Sequence, residues 1–458
     1  MIPRIHILKK GLLIMNKHVL IIGFARSGAA AANLLQSEGA RVTVSDPKLD
    51  TMDEKVKALK ANDVQFTTDQ SVELLKNVDI IVKNPGIPYT IPILVAAQEQ
   101  QIPIVVEVAL AQQYIQKNWV AVTGSNGKTT TTEMISSVLR TQPRKGHVLV
   151  AGNIGTPVSE VAPQMTADDV LVTELSSFQL TGMPAPKPHI AVLTNIFGSH
   201  LDFHGTRANY VAAKMNITKH QTANDFFVVN YDKEEWRHLA EQTKATVIPF
   251  SREDFSEAGA YLKAGNLYYQ EEVIMAADEL GVPGTHNIEN ALAAIAVGKL
   301  MGIDTESIAK ALKSFSGVEH RLQFVGKFYD RQVYNDSKAT DIEATEMALS
   351  GFNVPVVLLA GGLDRGDDQM RLLTAMKQHV KGLIVFGETA DKLAEVGKTI
   401  GIPVVHAKDA PSAVEPAFEL SEAGEVILLS PAAASWDQFP DFETRGNLFV
   451  DAVKNFKN

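Results

Sequence analysis

Residues 120–134 read VAVTGSNGKTTTTEM, a β-branched run, a glycine loop and then a lysine–threonine pair opening a helical stretch. The apolar run ends at Thr123, Gly124 to Gly127 make a tight loop, and a helix is predicted to begin near Lys128. In that order the backbone N–H groups of the loop and the helix N-terminus converge on one point, a cradle for phosphate oxygens. Lys128 is placed to neutralise β- and γ-phosphates and the Thr129 hydroxyl to ligate Mg²⁺, with Gly124, Ser125, Asn126, Gly127 and Thr130 completing an ATP loop. The spacing G-x-x-G-K-T is shorter than the usual G-x-x-x-x-G-K-[ST]. The order of elements therefore carries the reading, and its alternative is a glycine turn that only caps a helix.

Outward from this stretch the same rhythm repeats: a short apolar strand, a glycine turn, an amphipathic helix. KHVLIIG, RVTVSD, VDIIVKNPG and IPIVVEV form a first series, and WVAVTG, HVLVAG, DDVLVTELS, HIAVLTN and FFVVNYD a second. The second closes on the helix NIENALAAIAVGKLMG. A hairpin, FVGKFYD with QVYND, precedes a third series of PVVLLAGG, GLIVFG, PVVHAK and EVILLSP. The expected fold is α/β in three domains: residues 1–115 Rossmann-like, 116–317 a P-loop ATPase-like parallel sheet, and 318–458 again Rossmann-like. Residues 1–16 are expected to be an extension, with Met15 a plausible natural start.

Composition narrows the function. The 458 residues are 45% hydrophobic and 21% charged, ordinary for a globular chain. A net charge of −10 argues against a general nucleic-acid surface. No apolar stretch approaches the ~20 residues that span a bilayer, so no membrane insertion is expected. The chain has no cysteine, which removes disulfides, thiolate nucleophiles and thiolate zinc sites and fits a reducing cytoplasm.

Further polar groups gather at strand ends, where α/β sites form. Glu174 ends VLVTELSS as a Walker-B-like carboxylate would; alone, such a residue is usually a solvated terminus. His200, Asp202 and His204 alternate in a loop, a pattern that fits either a metal cluster or hydrogen-bonded structural residues. Near the N-terminus, VLIIGFARSG places Gly23, Ala25 and Gly28 in the glycine positions of a dinucleotide loop, and Asp46 where a ribose-binding acid sits. NPGIP at 84–88 is either a second ligand loop or a rigid turn. VEHRLQ, NDSKATD, AGGLDRG and SPAAASWDQF cluster polar residues in the last third, each of which could equally be capping or turn sequence.

TGSNGKTT, ELSSFQL, the His200 loop with Lys214, GTHNIENALAA, EHRL, NDSKATD and SPAAASWDQF occur in the order found in the Mur ligases, which the chain resembles from about Met15 onward. The resemblance is strongest to the members that add D-glutamate to UDP-N-acetylmuramoyl-L-alanine. It implies a cytoplasmic bacterial enzyme of peptidoglycan synthesis, acting as a monomer, which joins the two through an acyl-phosphate at the expense of ATP. By motif, Lys128, Glu174, His200 and Lys214 would be catalytic. Thr129, Glu174, His200 and Lys214 would serve two Mg²⁺ ions, with Lys214 N-carbamylated. Asn287, Asn290, Arg321, Asp336 and Lys338 would join the ATP loop. Ala25, Arg26, Ser27, Asp46, Asn84, Gly86 and Asn153 would meet the UDP-linked substrate. Lys338, Thr340, Arg365, Ser435 and Phe442 would hold D-glutamate, although LDRG supplies Arg365, with different spacing, in place of the lysine that the resemblance expects after the Gly-Gly. GFARSG lacks the middle glycine of a nicotinamide loop. Other readings are a relative adding a different amino acid or glutamylating folate, a nicotinamide-dependent oxidoreductase, or a nucleotide-binding module without catalysis.

Overall fold

The computed structural model describes residues 14–197, 201–253 and 256–456. Among these, three sheets form. The first comprises β1 (His18–Ile22), β2 (Arg41–Ser45), β3 (Gln65–Thr67), β4 (Ile80–Lys83) and β5 (Ile104–Val105), all parallel, in the order β3-β2-β1-β4-β5. Both faces of β1 are covered: Val19 and Ile21 enter one apolar cluster, Leu20 and Ile22 the other. A strand buried on both sides must read as a continuous apolar run, and HVLII does. The helix α1 (Arg26–Ser37) follows β1 and buries Ala29 to Ala32. Gly28 admits that close approach, because a Cβ there would lie 2.1 Å from the Gly23 carbonyl oxygen.

The central sheet comprises β6 (Trp119–Thr123), β7 (Val148–Gly152), β8 (Val170–Glu174), β9 (Ile190–Leu193), β10 (Phe226–Asn230), β11 (Thr246–Ser251), β12 (Ala260–Lys263), β13 (Asn266–Tyr269) and β14 (Glu272–Ala276), in the order β14-β13-β12-β11-β10-β9-β6-β8-β7. The strands from β6 to β11 are parallel, while β12–β13–β14 run as an antiparallel meander. Three helices matter for the site: α2 (Lys128–Leu139), α3 (Arg207–Met215) and α4 (Thr285–Leu300). Ala291 to Val297 are buried on every side of α4, as its unbroken apolar sequence requires. The last sheet comprises β15 (Gln323–Phe328), β16 (Arg331–Asn335), β17 (Val356–Gly361), β18 (Val380–Phe386), β19 (Val404–His406) and β20 (Val426–Leu429), in the order β15-β16-β20-β17-β18-β19, and α5 (Phe442–Asn455) closes the described chain. Only β15 is antiparallel to its neighbour, through a tight turn in which Tyr329 and Asp330 both adopt positive φ.

The three-domain α/β architecture holds. The sequence reading omitted β3, β11 and the β12–β14 meander. β3 is three residues long, β11 is half-exposed along its first half and carries Pro249, and the meander lies at the sheet's edge, where no long apolar run is needed. Contacts group residues up to Ala277 with Glu289–Ala311 as one compact unit, and Asp278–Ile288 with Leu312 onward as a second.

Candidate active site

The loop after β6 emerges between the ends of β8 and β9, which flank β6 in the sheet. Chain connections reverse direction there, which is where open α/β sheets bind ligands. Gly124 and Gly127 have φ of +155° and +77°. A Cβ on Gly124 would lie 1.9 Å from Thr194 Oγ1 and one on Gly127 2.4 Å from Asn290 Oδ1, so both positions exclude other residues on space as well as conformation. Gly127 is the N-cap of α2 and offers no side-chain cap, so no side-chain oxygen occupies the first N–H groups of the helix.

Side chains brace the loop from three directions. Asn195 Oδ1 accepts from Asn126 N–H at 2.9 Å, and Thr194 Oγ1 donates to the Asn126 carbonyl at 2.6 Å. Ser125 Oγ lies 2.8 Å from the Tyr210 hydroxyl and accepts from Phe197 N–H at 2.8 Å. Lys128 Nζ folds back onto the Ser125 carbonyl at 2.8 Å. Thr131 Oγ1 donates to Asn290 Oδ1 at 3.0 Å.

Beneath the loop the Thr129 hydroxyl donates to Glu174 Oε2 at 2.7 Å, and Asn153 Nδ2 donates to Oε1 of the same carboxylate at 2.8 Å. Glu174 and Thr129 are both buried. Asn153, grouped by motif with the UDP-linked substrate, thus sits on Glu174 beside the phosphate loop. From α3, Lys214 reaches the Gly124 carbonyl, its Nζ donating at 2.6 Å, and lies 4.7 Å from the centroid of the Tyr210 ring. Burial, with a smaller push from Lys128 and an opposing pull from Glu174, lowers the Lys214 pKa to about 6. A shift in that direction favours the neutral amine at pH 7.

These groups meet the demands of Mg²⁺, which takes one or two carboxylates together with substrate phosphate oxygens. One carboxylate and one hydroxyl converge beside a phosphate cradle. Among the described residues there is no group of three or more His, Cys, Asp or Glu that would form an all-protein metal cage. His200 lies outside the described residues. His204 ends a short helix, Leu201–His204, rather than lying in a loop; it is buried, with Nε2 3.0 Å from Ser177 Oγ and its ring stacked on Phe178 at 5.6 Å. It follows the hydrogen-bonded structural reading.

In the N-terminal sheet the Asp46 carboxylate accepts from Phe24 N–H at 2.7 Å and Lys48 N–H at 2.8 Å, which fixes the turn after β1. Ala25 and Arg26 are exposed beside it, and Ser27 is half-buried. Gly23, at φ +93°, packs against Asn84, whose Oδ1 accepts from Gly86 N–H at 3.2 Å. The two loops assigned to the UDP moiety therefore touch.

In the C-terminal unit, Asp336 is buried; it accepts from Leu322 N–H at 3.0 Å and from Ser430 Oγ at 2.9 Å. Burial pushes its pKa up to about 7 against the pull of those hydrogen bonds and of Arg321. The Arg321 Nε is buried without a hydrogen-bond partner. Asn287 donates to the Pro283 carbonyl at 2.5 Å. Lys338 Nζ lies 5.3 Å from the Phe442 ring centroid, and Ser435 is buried while Thr340 is half-buried. Arg365 is exposed, with its guanidinium 4.9 Å from the Trp436 ring centroid.

The sequence reading missed Thr194, Asn195 and Tyr210. The first two directly follow an apolar strand, the signal already applied to Glu174, whereas Tyr210 on a helix carries none. It also missed Arg445. This fully buried guanidinium donates to Ser337 Oγ, the Ser337 carbonyl, the Gly361 carbonyl and the Ala433 carbonyl at 2.8–3.3 Å. It thereby ties together the loops that carry Lys338, Arg365 and Ser435.

Comparison with known proteins gives a consistent result. Residues 17–106 match the Mur ligase MurD-like N-terminal domain, 122–298 the Mur ligase middle domain, and 320–433 the Mur ligase glutamate ligase domain. UDP-N-acetylmuramoylalanine–D-glutamate ligase of Lactiplantibacillus plantarum is 52% identical over 96% of this chain and 96% of its own. The protein of the same name from Ligilactobacillus salivarius is 52% identical with the same coverage. Among solved structures, the UDP-N-acetylmuramate-alanine ligase MurC of Thermotoga maritima superposes with a TM-score of 0.59 at 19% identity, covering 96% of this chain and all of its own. The MurF ligase of Thermotoga maritima, solved in complex with ADP, gives 0.56 at 17% identity, covering 97% of this chain and 98% of its own. At those identities the structures establish the fold.

Proposed function

The chain belongs to the Mur ligase family, and from that premise we propose that it adds D-glutamate to UDP-N-acetylmuramoyl-L-alanine, with cleavage of ATP to ADP and phosphate, in peptidoglycan synthesis. The observation that carries the ligase chemistry is the Thr129–Glu174 hydrogen bond beside a glycine loop that opens the N-terminus of α2 without a side-chain cap. Full-length relatives bearing the D-glutamate ligase name supply the specificity.

A carboxylate is a poor acyl donor because its leaving group would be oxide. Attack of the alanyl carboxylate on the γ-phosphorus of ATP forms an acyl-phosphate and releases ADP. The D-glutamate amine then adds to the acyl carbon, and the tetrahedral intermediate expels phosphate as the amine sheds its proton. Lys128 and the loop N–H groups would hold the phosphates in line, and the dry strand-end setting strengthens each contact. Thr129 and Glu174 would hold one Mg²⁺, while His200 and Lys214 are assigned by motif to a second. When bound, Mg²⁺ would supply positive charge against the negative charge on the phosphoryl oxygens and the departing ADP.

Lys214 is proposed as an N-carbamate. Its buried neutral amine is nucleophilic toward CO₂; an N–C bond forms, a proton leaves, and the cation becomes an oxygen donor suited to Mg²⁺. Asn287, Asn290, Arg321, Asp336 and Lys338 are assigned to ATP, and Lys338, Thr340, Arg365, Ser435 and Phe442 to D-glutamate, on their motifs. Ala25, Arg26, Ser27, Asp46, Asn84, Gly86 and Asn153 are assigned to the UDP-linked substrate in the same way. Domain boundaries near 115 and 317, a monomeric state and a cytoplasmic site of action belong to the same reading. Among the described residues, no helix is long and apolar enough to cross a membrane.

The test is phosphate release with ATP, Mg²⁺ and UDP-N-acetylmuramoyl-L-alanine, comparing D-glutamate, L-glutamate, L-lysine and no amino acid. Release dependent on both the precursor and D-glutamate is expected, and Lys128→Ala should abolish it. Turnover with a different amino acid alone would overturn the specificity.

A further inference from the structure

Trp436 is 64% exposed, an unusual position for the largest apolar side chain, and it directly follows the buried Ser435. Over its ring sits the guanidinium of Arg365, 4.9 Å from the centroid, contributed by the loop after a different strand. Arg365 makes no hydrogen bond or ion pair with another described residue, although acids surround it in sequence and space. Asp364, Glu388 and Asp437 accept hydrogen bonds from other groups, while Asp437 Oδ1 is buried without a partner. Asp364 is bound by Lys392 at 2.7 Å and accepts from Gly366 N–H at 2.9 Å. Glu388 Oε2 accepts from Asp364 N–H at 3.1 Å, and Asp437 Oδ2 accepts from Glu388 N–H at 3.1 Å.

The loop carrying Arg365 is fixed at its root. Leu363 pairs with Ala434 as an antiparallel bridge, its N–H donating to the Ala434 carbonyl at 2.8 Å. Gly362, at φ +152°, brings the two backbones together, since a Cβ there would lie 2.1 Å from the Ala434 carbonyl oxygen. Thus the bridge that positions Arg365 also positions Trp436, two residues further along.

We propose that Trp436 is a specificity-determining residue, a platform that holds Arg365 flat so that its guanidinium edge meets a carboxylate of the incoming acidic amino acid. A guanidinium stacked on an aromatic face keeps its in-plane N–H donors free, and that fork matches a carboxylate through two parallel hydrogen bonds. Pre-stacking also removes part of the side-chain entropy that a long exposed arginine would otherwise lose on binding. A lysine at position 365 could not use the platform in this way, because a tetrahedral ammonium has no donor edge parallel to the ring. The inference rests on the D-glutamate reading above, in which Arg365 already meets the amino acid, and adds Trp436 as the residue that orients it.

The experiment is steady-state kinetics of the full chain with all three substrates varied. Trp436→Ala is expected to raise KM for D-glutamate about three- to ten-fold, the range of a cation–π contact, with KM for ATP and for the UDP-linked precursor unchanged. Trp436→Phe should recover most of the loss. In an Arg365→Lys background, Trp436→Ala should add little, since the coupled partner is already gone. Both side chains are exposed, so unchanged thermal midpoints will separate the effect from misfolding. An active Trp436→Ala enzyme with unaltered KM for D-glutamate, or fully additive effects of the two substitutions, would overturn the proposal. Wild-type enzyme without D-glutamate-dependent phosphate release would instead defeat the functional reading beneath it.

Discussion

The Lys214 Nζ donates to the Gly124 carbonyl at 2.6 Å, so a lysine from α3 is anchored on the first glycine of the phosphate loop. Burial places its pKa at about 6, whereas in an unfolded chain a lysine titrates near its ordinary 10.5. Below pH 6 both states carry the proton and the folded state bears the full cost of a buried charge. Between the two pKa values the unfolded chain binds more protons, so stability rises with pH. Lys214→Met should therefore stabilise the protein most near pH 6, with the gain shrinking as pH approaches 10. Urea midpoints across that range, in CO₂-free buffer, measure it; a constant gap would refute it.

The carbamate has its own signature. With ¹³C-labelled bicarbonate the wild-type protein should show one slowly exchanging carbamate carbon resonance, absent from Lys214→Met. A wild-type spectrum identical to the mutant's would remove Lys214 as an oxygen donor.

Thr129→Val keeps the shape of the residue and deletes the donor to Glu174. A fall in kcat of about 100-fold or more is expected, the scale of losing one positioned polar group at a phosphoryl-transfer site. Stability should change by at most about 1–3 kcal/mol, and Thr129→Ser should restore activity. Equal activity of the valine variant would show that the hydroxyl is only a helix-start hydrogen bond.

Gly127→Ala meets two obstacles, a φ of +77° and Asn290 Oδ1 at 2.4 Å from the new Cβ. The conformation alone costs about 1–2 kcal/mol. Combining it with Asn290→Ala removes the clash and leaves the strain, so the double variant should be more stable than Gly127→Ala alone. Denaturation midpoints of wild type, both single variants and the double variant decide this, and strict additivity would mean the contact does not govern the loop.

Lys83 is buried at the end of β4; its Nζ donates to the Asn84 and Pro85 carbonyls at 3.2 and 2.9 Å and lies 4.7 Å from the Tyr89 ring centroid. It therefore holds the NPG turn shut from beneath. Lys83→Met leaves those carbonyls without this donor and should raise KM for the UDP-linked precursor several-fold while sparing KM for ATP. Equal effects on both would mark Lys83 as a general core residue.

Much of this protein is legible in one dimension. Strands such as HVLII and WVAVT must be apolar throughout because parallel sheets are covered on both faces, so their sequences declare them. Glycines 124 and 127 and the following Lys128–Thr129 mark the phosphate loop because only that order of residue types builds a strand, cradle and helix in succession. The edge meander at Ala260–Ala276 stayed hidden, since short half-exposed strands carry no such run.

What sequence could not determine is which distant groups meet. Nothing local brings Asn153 to Glu174, Tyr210 to Ser125 or Trp436 to Arg365. The first and last arise because neighbouring strands end at the same edge of a sheet although they are far apart in the chain, and the second because α3 packs against the loop after β6. Burial is likewise a tertiary property: Lys214 reads as an ordinary helical lysine until packing removes its water and lowers its pKa to about 6. The sequence by itself determined the buried parallel strands, the helices between them and the glycine loop before Lys128; the tertiary structure decided the partners and the protonation states, because both depend on what the folded chain excludes from solvent.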